Sequence, residues 1–337
     1  MASSVAAQSS PPALVAGFPP TARLHIVTGK GGTGKTTAAA ALALALAGRG
    51  KKVLLVEVES RQALAQLFDM PPMPYREERL TGTDNGGALF GLAIDPEQAM
   101  LEYLEMFYGL KRAGKGLKRM GAVDFVTTLA PGLRDVLLTG KVKESVVRVG
   151  PDKSPVYDYV VLDAPPTGRI GRFLDATQEV AKLTKIGPIR SQSDGVIKLL
   201  HGPQTAVHIV TLLEEMPVQE TIDAAAELAR LGFQMGAIIV NRARPALLDP
   251  TQVAEDGSVD IALLTAELKG AGIGSEHAPA LALEMAEYAQ RQRVQLENAK
   301  RLDALDLPRV ELPDLNPPVE LGELKDLAAR FLTKDVR

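Results

Sequence analysis

A doubly wound, mostly parallel α/β sheet carrying an inserted helical subdomain is the architecture expected of this 337-residue chain, and three features point to it. Short apolar, β-rich runs recur at 23–28, 52–59, 89–94, 157–162, 206–212, 237–240 and 309–312. Helical patterns lie between them, the signature of repeated strand–helix–strand units. Several runs are continuously apolar instead of alternating, as strands covered by helices on both faces must be. A glycine-rich turn also separates the first run from an alanine-rich helix at 36–47. In such a sheet ligands sit outside the carboxyl ends of the strands.

Taken in order, residues 1–22 are rich in Ala, Ser and Pro. They lack the basic and apolar regions of a signal peptide and are expected to be a disordered tail, with 23–337 forming the folded domain. The longest strongly apolar run, 38–47, has about half the length of a membrane-spanning helix, so a cytoplasmic protein is expected. Stretches 96–150 and 171–204 are strand-poor and longer than ordinary crossovers, which suggests one helical subdomain. Further helices are expected at 218–231, 279–305 and 319–332. The last presents Leu321, Leu324, Leu327, Phe331 and Leu332 on one stripe, either packed on the body or docked at a membrane. Its mixed polar residues (Glu323, Lys325, Asp326, Arg330) lack the basic face of membrane-surface helices and favour packing.

Apolar residues make up 46% of the chain and charged residues 23%, the balance of a globular protein with a large core. Thirty-eight basic and 41 acidic side chains leave a net charge of −3, so nucleic acid is disfavoured as a partner. The absence of cysteine excludes disulfides, thiolate metal sites and cysteine nucleophiles.

The strongest chemical signal is Gly29, Lys30, Gly31, Gly32, Thr33, Gly34, Lys35, Thr36, Thr37, which satisfies G-x-x-x-x-G-K-[ST] between a strand and a helix. The glycines let backbone N–H groups converge on phosphates, and the helix N-terminus adds partial positive charge. Lys35 would hold the β and γ phosphates, and the Thr36 hydroxyl would ligate Mg²⁺. At the end of the second strand stand Glu57 and Glu59; Glu59 either positions the attacking water or forms a structural acid pair with Glu57. Residues 160–169 join a buried strand to Asp163 and a Pro/Gly turn, an arrangement suited to holding Mg²⁺ through water and to switching with the γ-phosphate.

Lys30, one residue after the first glycine, makes the loop resemble that of the ArsA, MinD, ParA and nitrogenase iron-protein group of ATPases. Asp163, Pro166, Thr167, Gly168, Arg172 and Leu174 are similar to the switch signature of the ArsA branch, with Arg169 where that branch has histidine. Further matches are Asp95-Pro96, Ala130-Pro131-Gly132, Glu220-Thr221 and Asn241-Arg242. The likeness spans roughly 23–332. It implies a P-loop ATPase fold, ATP and Mg²⁺, and a homodimer or a heterodimer with a paralogous ATPase. In that dimer Lys30 completes the partner's site, as an arginine finger does. It also implies that Glu59 stands where relatives place an aspartate, that Asn241 reads the adenine edge, and that Pro313 lies near the ring. Arsenite-binding members use cysteines as metalloid ligands and targeting ATPases clamp their dimer with zinc between cysteines. This chain can do neither.

In the insert, Met100, Tyr103, Leu104, Phe107 and Tyr108 recur at helical spacing, followed by Lys111, Arg112, Lys115, Lys118 and Arg119. The stripe is either core or a groove for a hydrophobic client helix or membrane-protein partner; the basic run is either a solvated face or an anionic-surface contact, which would make the protein peripheral at the membrane. The expected function is a Mg-dependent, ATP-hydrolysing switch whose nucleotide state is coupled to the helical subdomain. A ParA/MinD-type positioning ATPase acting on membrane or DNA is the alternative, and a small-molecule kinase of the same superclass a third class.

Overall fold

The computed structural model describes residues 13–59, 62–108, 132–183, 188–248, 253–254, 258–315 and 319–333. Within them, strands β1 (Leu24–Gly29), β2 (Lys52–Glu57), β3 (Glu78–Gly82), β4 (Ala88–Ala93), β5 (Tyr159–Asp163), β6 (Thr205–Thr211), β7 (Met235–Ala243) and β8 (Arg309–Pro313) form one sheet. Its order is β3-β4-β2-β5-β1-β6-β7-β8, all neighbours parallel except the β3–β4 pair. The seven expected strands are present. β3 was not expected, because an edge strand reading Glu-Arg-Leu-Thr-Gly buries no residue fully and carries no apolar run. β2 stops at Glu57, and Val58 and Glu59 leave the sheet in a bend, two residues short of the expected end.

The helices are α1 (Lys35–Gly48), α2 (Ala63–Leu67), α3 (Pro96–Tyr108), α4 (Leu133–Val147), α5 (Thr167–Leu183), α6 (Pro188–Leu200), α7 (Glu215–Arg230), α8 (Ile261–Gly270), α9 (Ala278–Asp303) and α10 (Leu321–Ala328). Alternate strand residues feed two cores, as the two-residue period of a strand requires. Val27, Val53, Leu55, Val161 and Val210 pack against α1 and α10, while Ile26, Leu54, Val56, Leu162 and Ile209 pack against α4, α5, α6 and α7. Ala38 to Ala47 are all buried, because α1 lies between the sheet and α10; a helix apolar on every side has no solvent face. Leu324, Leu327 and Phe331 are buried in the same core, so the carboxyl-terminal stripe is packing surface.

The two strand-poor stretches come together: α4 packs on α5 and α6, and all three share the second core with the sheet. Of the insert's Met and aromatic stripe, Met100 packs partly buried against that core. The side chains of Tyr103, Leu104, Phe107 and Tyr108 and the basic run 111–119 lie outside the described residues. No helix among the described residues is long and apolar enough to cross a membrane.

The disordered-tail expectation is corrected from residue 13 onward. The Val15 N–H donates to the Phe331 carbonyl (2.9 Å), the Thr333 N–H donates to the Ala13 carbonyl (2.8 Å), and Leu14 pairs antiparallel with Leu332. Phe18 is only 6% exposed. The Ala/Ser/Pro composition masks three anchors, Leu14, Val15 and Phe18, that the core accepts. Phe18 stacks on His208 with centroids 4.5 Å apart. His208 of β6 and His25 of β1 are fully buried. The Ala237 N–H donates to His208 Nδ1 (3.0 Å), so His208 carries its proton on Nε2 and donates it to His25 Nδ1 at 3.1 Å. Burial pushes His25 down to about 4; burial and then the charge on His25 push His208 well below the usual histidine range. Both rings are therefore neutral at pH 7.

Candidate active site

The predicted loop residues converge at the carboxyl end of the central strands, where Val27 of β1 and Glu57 of β2 both stand in register with Asp163 of β5. The loop curls over the start of α1, with the Thr33 hydroxyl donating to the Lys30 carbonyl (2.9 Å). Gly32 and Gly34 adopt φ of +87° and +84°, a region that side chains other than glycine rarely enter. Gly34 has a second constraint: a Cβ there would lie 2.2 Å from Asn241 Nδ2. Gly29 is required by space, since its Cβ would meet the Val210 carbonyl oxygen at 2.2 Å.

Three predicted residues, Thr36, Lys35 and Asp163, meet at the mouth of the loop. The Thr36 hydroxyl donates to Asp163 Oδ2 across 2.6 Å, while Asp163 Oδ1 is buried with no hydrogen-bond partner. Lys35 is only 8% exposed. Burial pushes the Asp163 carboxyl up to about 6; the Thr36 hydrogen bond and the Lys35 charge oppose this, and the carboxylates of Glu57 and Glu59 add to it. With the Glu57 and Glu59 carboxylates also acting on it, this desolvated carboxylate is left short of positive charge by Lys35 alone. The orphaned Oδ1 and the adjacent Thr36 hydroxyl are hard oxygen donors of the kind Mg²⁺ takes.

The two strand-end acids separate in role. Glu57 is buried and accepts from the backbone N–H groups of Ala63 and Leu64 (3.2 Å each), so it caps α2. Glu59 is half-buried in the bend that follows β2. The two acids do not share one strand face, because β2 ends between them.

Asn241, near the end of β7, is 7% exposed and donates through Nδ2 to the Thr33 carbonyl (2.8 Å). It also lines a cavity of about 450 Å³ with Leu212, Glu215, Arg242, Arg291 and Asp314. Pro313 ends β8 in register with Ala243; the next residue, Asp314, borders that cavity and holds Arg242 (2.9 Å) and Arg244 (3.1 Å). Two connections were not anticipated. The Thr28 hydroxyl donates to the Pro165 carbonyl (2.7 Å), tying β1 to the switch turn. Lys30 forms an ion pair with Glu220 of α7, whose other oxygen accepts from the Thr167 hydroxyl at 3.3 Å. Glu220 was noticeable only as part of a Glu-Thr pair, and nothing local announces its partner. Arg169 faces Asp135 of α4 at 4.0 Å.

Residues 22–203 match the model of a family described as anion-transporting ATPase, ArsA. The chain belongs to the ArsA ATPase family. ATPase BagA of Mycobacterium tuberculosis is 54% identical over 319 residues, 94% of each chain. ATPase GET3 of Podospora anserina is 31% identical over 188 residues, 55% of this chain and 52% of that one. The ATPase ASNA1 homolog of Entamoeba dispar is 26% identical over 278 residues, 67% and 81% of the two. The parallel sheet with its glycine-rich loop is the P-loop fold of this ArsA-like ATPase, and its substrate is a nucleotide.

Proposed function

We propose that this ArsA-family ATPase is a Mg²⁺-dependent, ATP-hydrolysing switch that works as a dimer and passes its nucleotide state to the helices α3–α6. The observation that carries this reading is the Thr36–Asp163 hydrogen bond beside the buried Lys35, with Asp163 Oδ1 left unpartnered. Thr36 and Asp163 would hold Mg²⁺, which neutralises phosphate charge when bound. The loop N–H groups and Lys35 bind the β and γ phosphates. Glu59 accepts a hydrogen bond from the attacking water and aims it. Lys30 of each subunit supplies charge to its partner's phosphates, where preorganised charge is worth most. Asn241 Oδ1 accepts from the adenine amino group while its Nδ2 stays on the loop, and Pro313 flanks the ring. The Asp163-to-Gly168 turn follows the γ-phosphate, and Arg169 carries its movement to Asp135 on α4. The helical layer then binds an apolar client or partner segment in one nucleotide state. The second subunit is another copy of this chain or a paralogue.

Single-turnover hydrolysis and fluorescent-nucleotide titration test this together. Lys30→Ala should abolish turnover and keep ATP affinity within a few-fold, while Lys35→Ala loses both. Wild-type turnover by Lys30→Ala would remove the trans-acting lysine.

A further inference from the structure

Glu220 occupies a position that the hydrolytic reading leaves without a task. It stands on α7, 190 residues from Lys30 of the phosphate loop and 53 from Thr167 of the switch turn, yet touches both. One carboxylate oxygen pairs with Lys30 and the other accepts from the Thr167 hydroxyl. Thr167 is 4% exposed and opens α5 immediately after the switch prolines, whereas the Lys30 and Glu220 side chains are 30% and 36% exposed. The pair therefore lies at the surface and its third member lies inside.

A lysine held by a carboxylate of its own chain cannot reach another chain's phosphates, and its charge is already balanced. We propose that Glu220 is a positioning residue that latches Lys30 in the nucleotide-free subunit, and that movement of the switch turn, sensed through Thr167, releases the lysine for the partner's site. A partly exposed ion pair is weak enough for a phosphate to win the lysine, because solvent screens it. A triphosphate in the loop also places negative charge close to Lys30 and so competes with Glu220 for it. Breaking the Thr167 contact removes the bond that holds the carboxylate at the loop. The latch thus couples two events in one subunit, filling of the loop and exposure of the lysine, and suppresses hydrolysis by half-filled dimers. The inference rests on the trans-acting reading of Lys30.

The test uses the full-length protein in two measurements. Trace acetylation of Lys30, read by peptide mass spectrometry in the nucleotide-free protein, should be several-fold faster in Glu220→Gln than in wild type. Steady-state hydrolysis against protein concentration should reach half-maximal specific activity at lower concentration in Glu220→Gln. Each pair is worth a factor of about three, and two open per homodimer, so the midpoint falls about tenfold, while the KM for ATP falls by no more than about threefold, the share of each pair that ATP no longer has to break. Equal acetylation rates overturn the latch, as does a Glu220→Gln midpoint equal to or above that of wild type. Wild-type turnover by Lys30→Ala overturns the trans-acting reading and the latch with it, and is told apart because the acetylation contrast between wild type and Glu220→Gln then persists.

Discussion

Asn241 and Thr33 are joined by a hydrogen bond of 2.8 Å from the side-chain amide to the loop carbonyl, so the end of β7 braces the phosphate loop from the side. The same amide nitrogen occupies the space that a Cβ on Gly34 would need. One side chain therefore both braces the loop and lines the adjoining cavity.

Asn241→Ala should weaken ATP binding about tenfold, because a loop carbonyl loses its buried donor at a cost of about 1–2 kcal/mol. Asn241→Asp should be worse, since an ionised carboxylate would face the Thr33 carbonyl with no proton to donate. Calorimetric titration with a non-hydrolysable ATP analogue measures both; equal affinity in all three proteins would show that the brace is irrelevant to binding.

Thr36→Val keeps the volume of the side chain and removes the hydroxyl that bonds Asp163. Turnover in Mg²⁺ should fall about a hundredfold or more, as loss of charge stabilisation at a reacting phosphate generally does. Nucleotide affinity in EDTA should change by less than a few-fold. Comparing affinity with and without Mg²⁺ isolates the effect: the variant should lose the metal-dependent gain.

Phe18→Ala should destabilise the fold by about 3 kcal/mol, the usual cost of emptying a buried aromatic site. Phe18 stacks on His208 and meets Phe331 edge-on at 5.6 Å, so its removal opens a hole beneath the first core. Urea denaturation measures the loss. An unchanged midpoint would restore the disordered-tail expectation for residues 13–22.

The buried His25–His208 pair makes stability fall as the solution is acidified. Both rings have native pKa values below the unfolded value, His25 down to about 4. The unfolded chain therefore binds protons first as pH drops below about 6.5. Stability is complete above that pH and declines towards pH 4, by about 1.4 kcal/mol per unit for each histidine. Urea midpoints between pH 7.5 and 4.5 follow the decline. Nitrogen-15 spectra of the imidazoles should show two neutral rings at pH 6, each protonated on Nε2; a charged ring at that pH would refute the burial argument.

The central part of the fold was legible because buried parallel strands are apolar along their whole length, so β1, β2, β4, β5, β6, β7 and β8 announced themselves locally. β3 was not legible: an edge strand with one neighbour needs no apolar run. The phosphate loop was legible for a similar local reason, since its glycines and lysines act within nine consecutive residues. The roles of Glu57 and Glu220 were not, because a carboxylate's task depends on what stands opposite. Glu57 meets the N-terminus of α2 and Glu220 meets a lysine 190 residues away.

Chain order alone determined that a strand, a glycine-rich turn and a helix would form a cradle for phosphate, because bonded neighbours cannot separate. It also determined, through the absence of cysteine, which metal and metalloid chemistries are closed to this protein. Only the packed molecule decided that Thr36 would face Asp163, that Asn241 would brace Thr33, and that residues 13–22 would lie on the body. Those contacts join segments far apart in sequence, and their existence depends on strand order and helix packing, which no local pattern encodes.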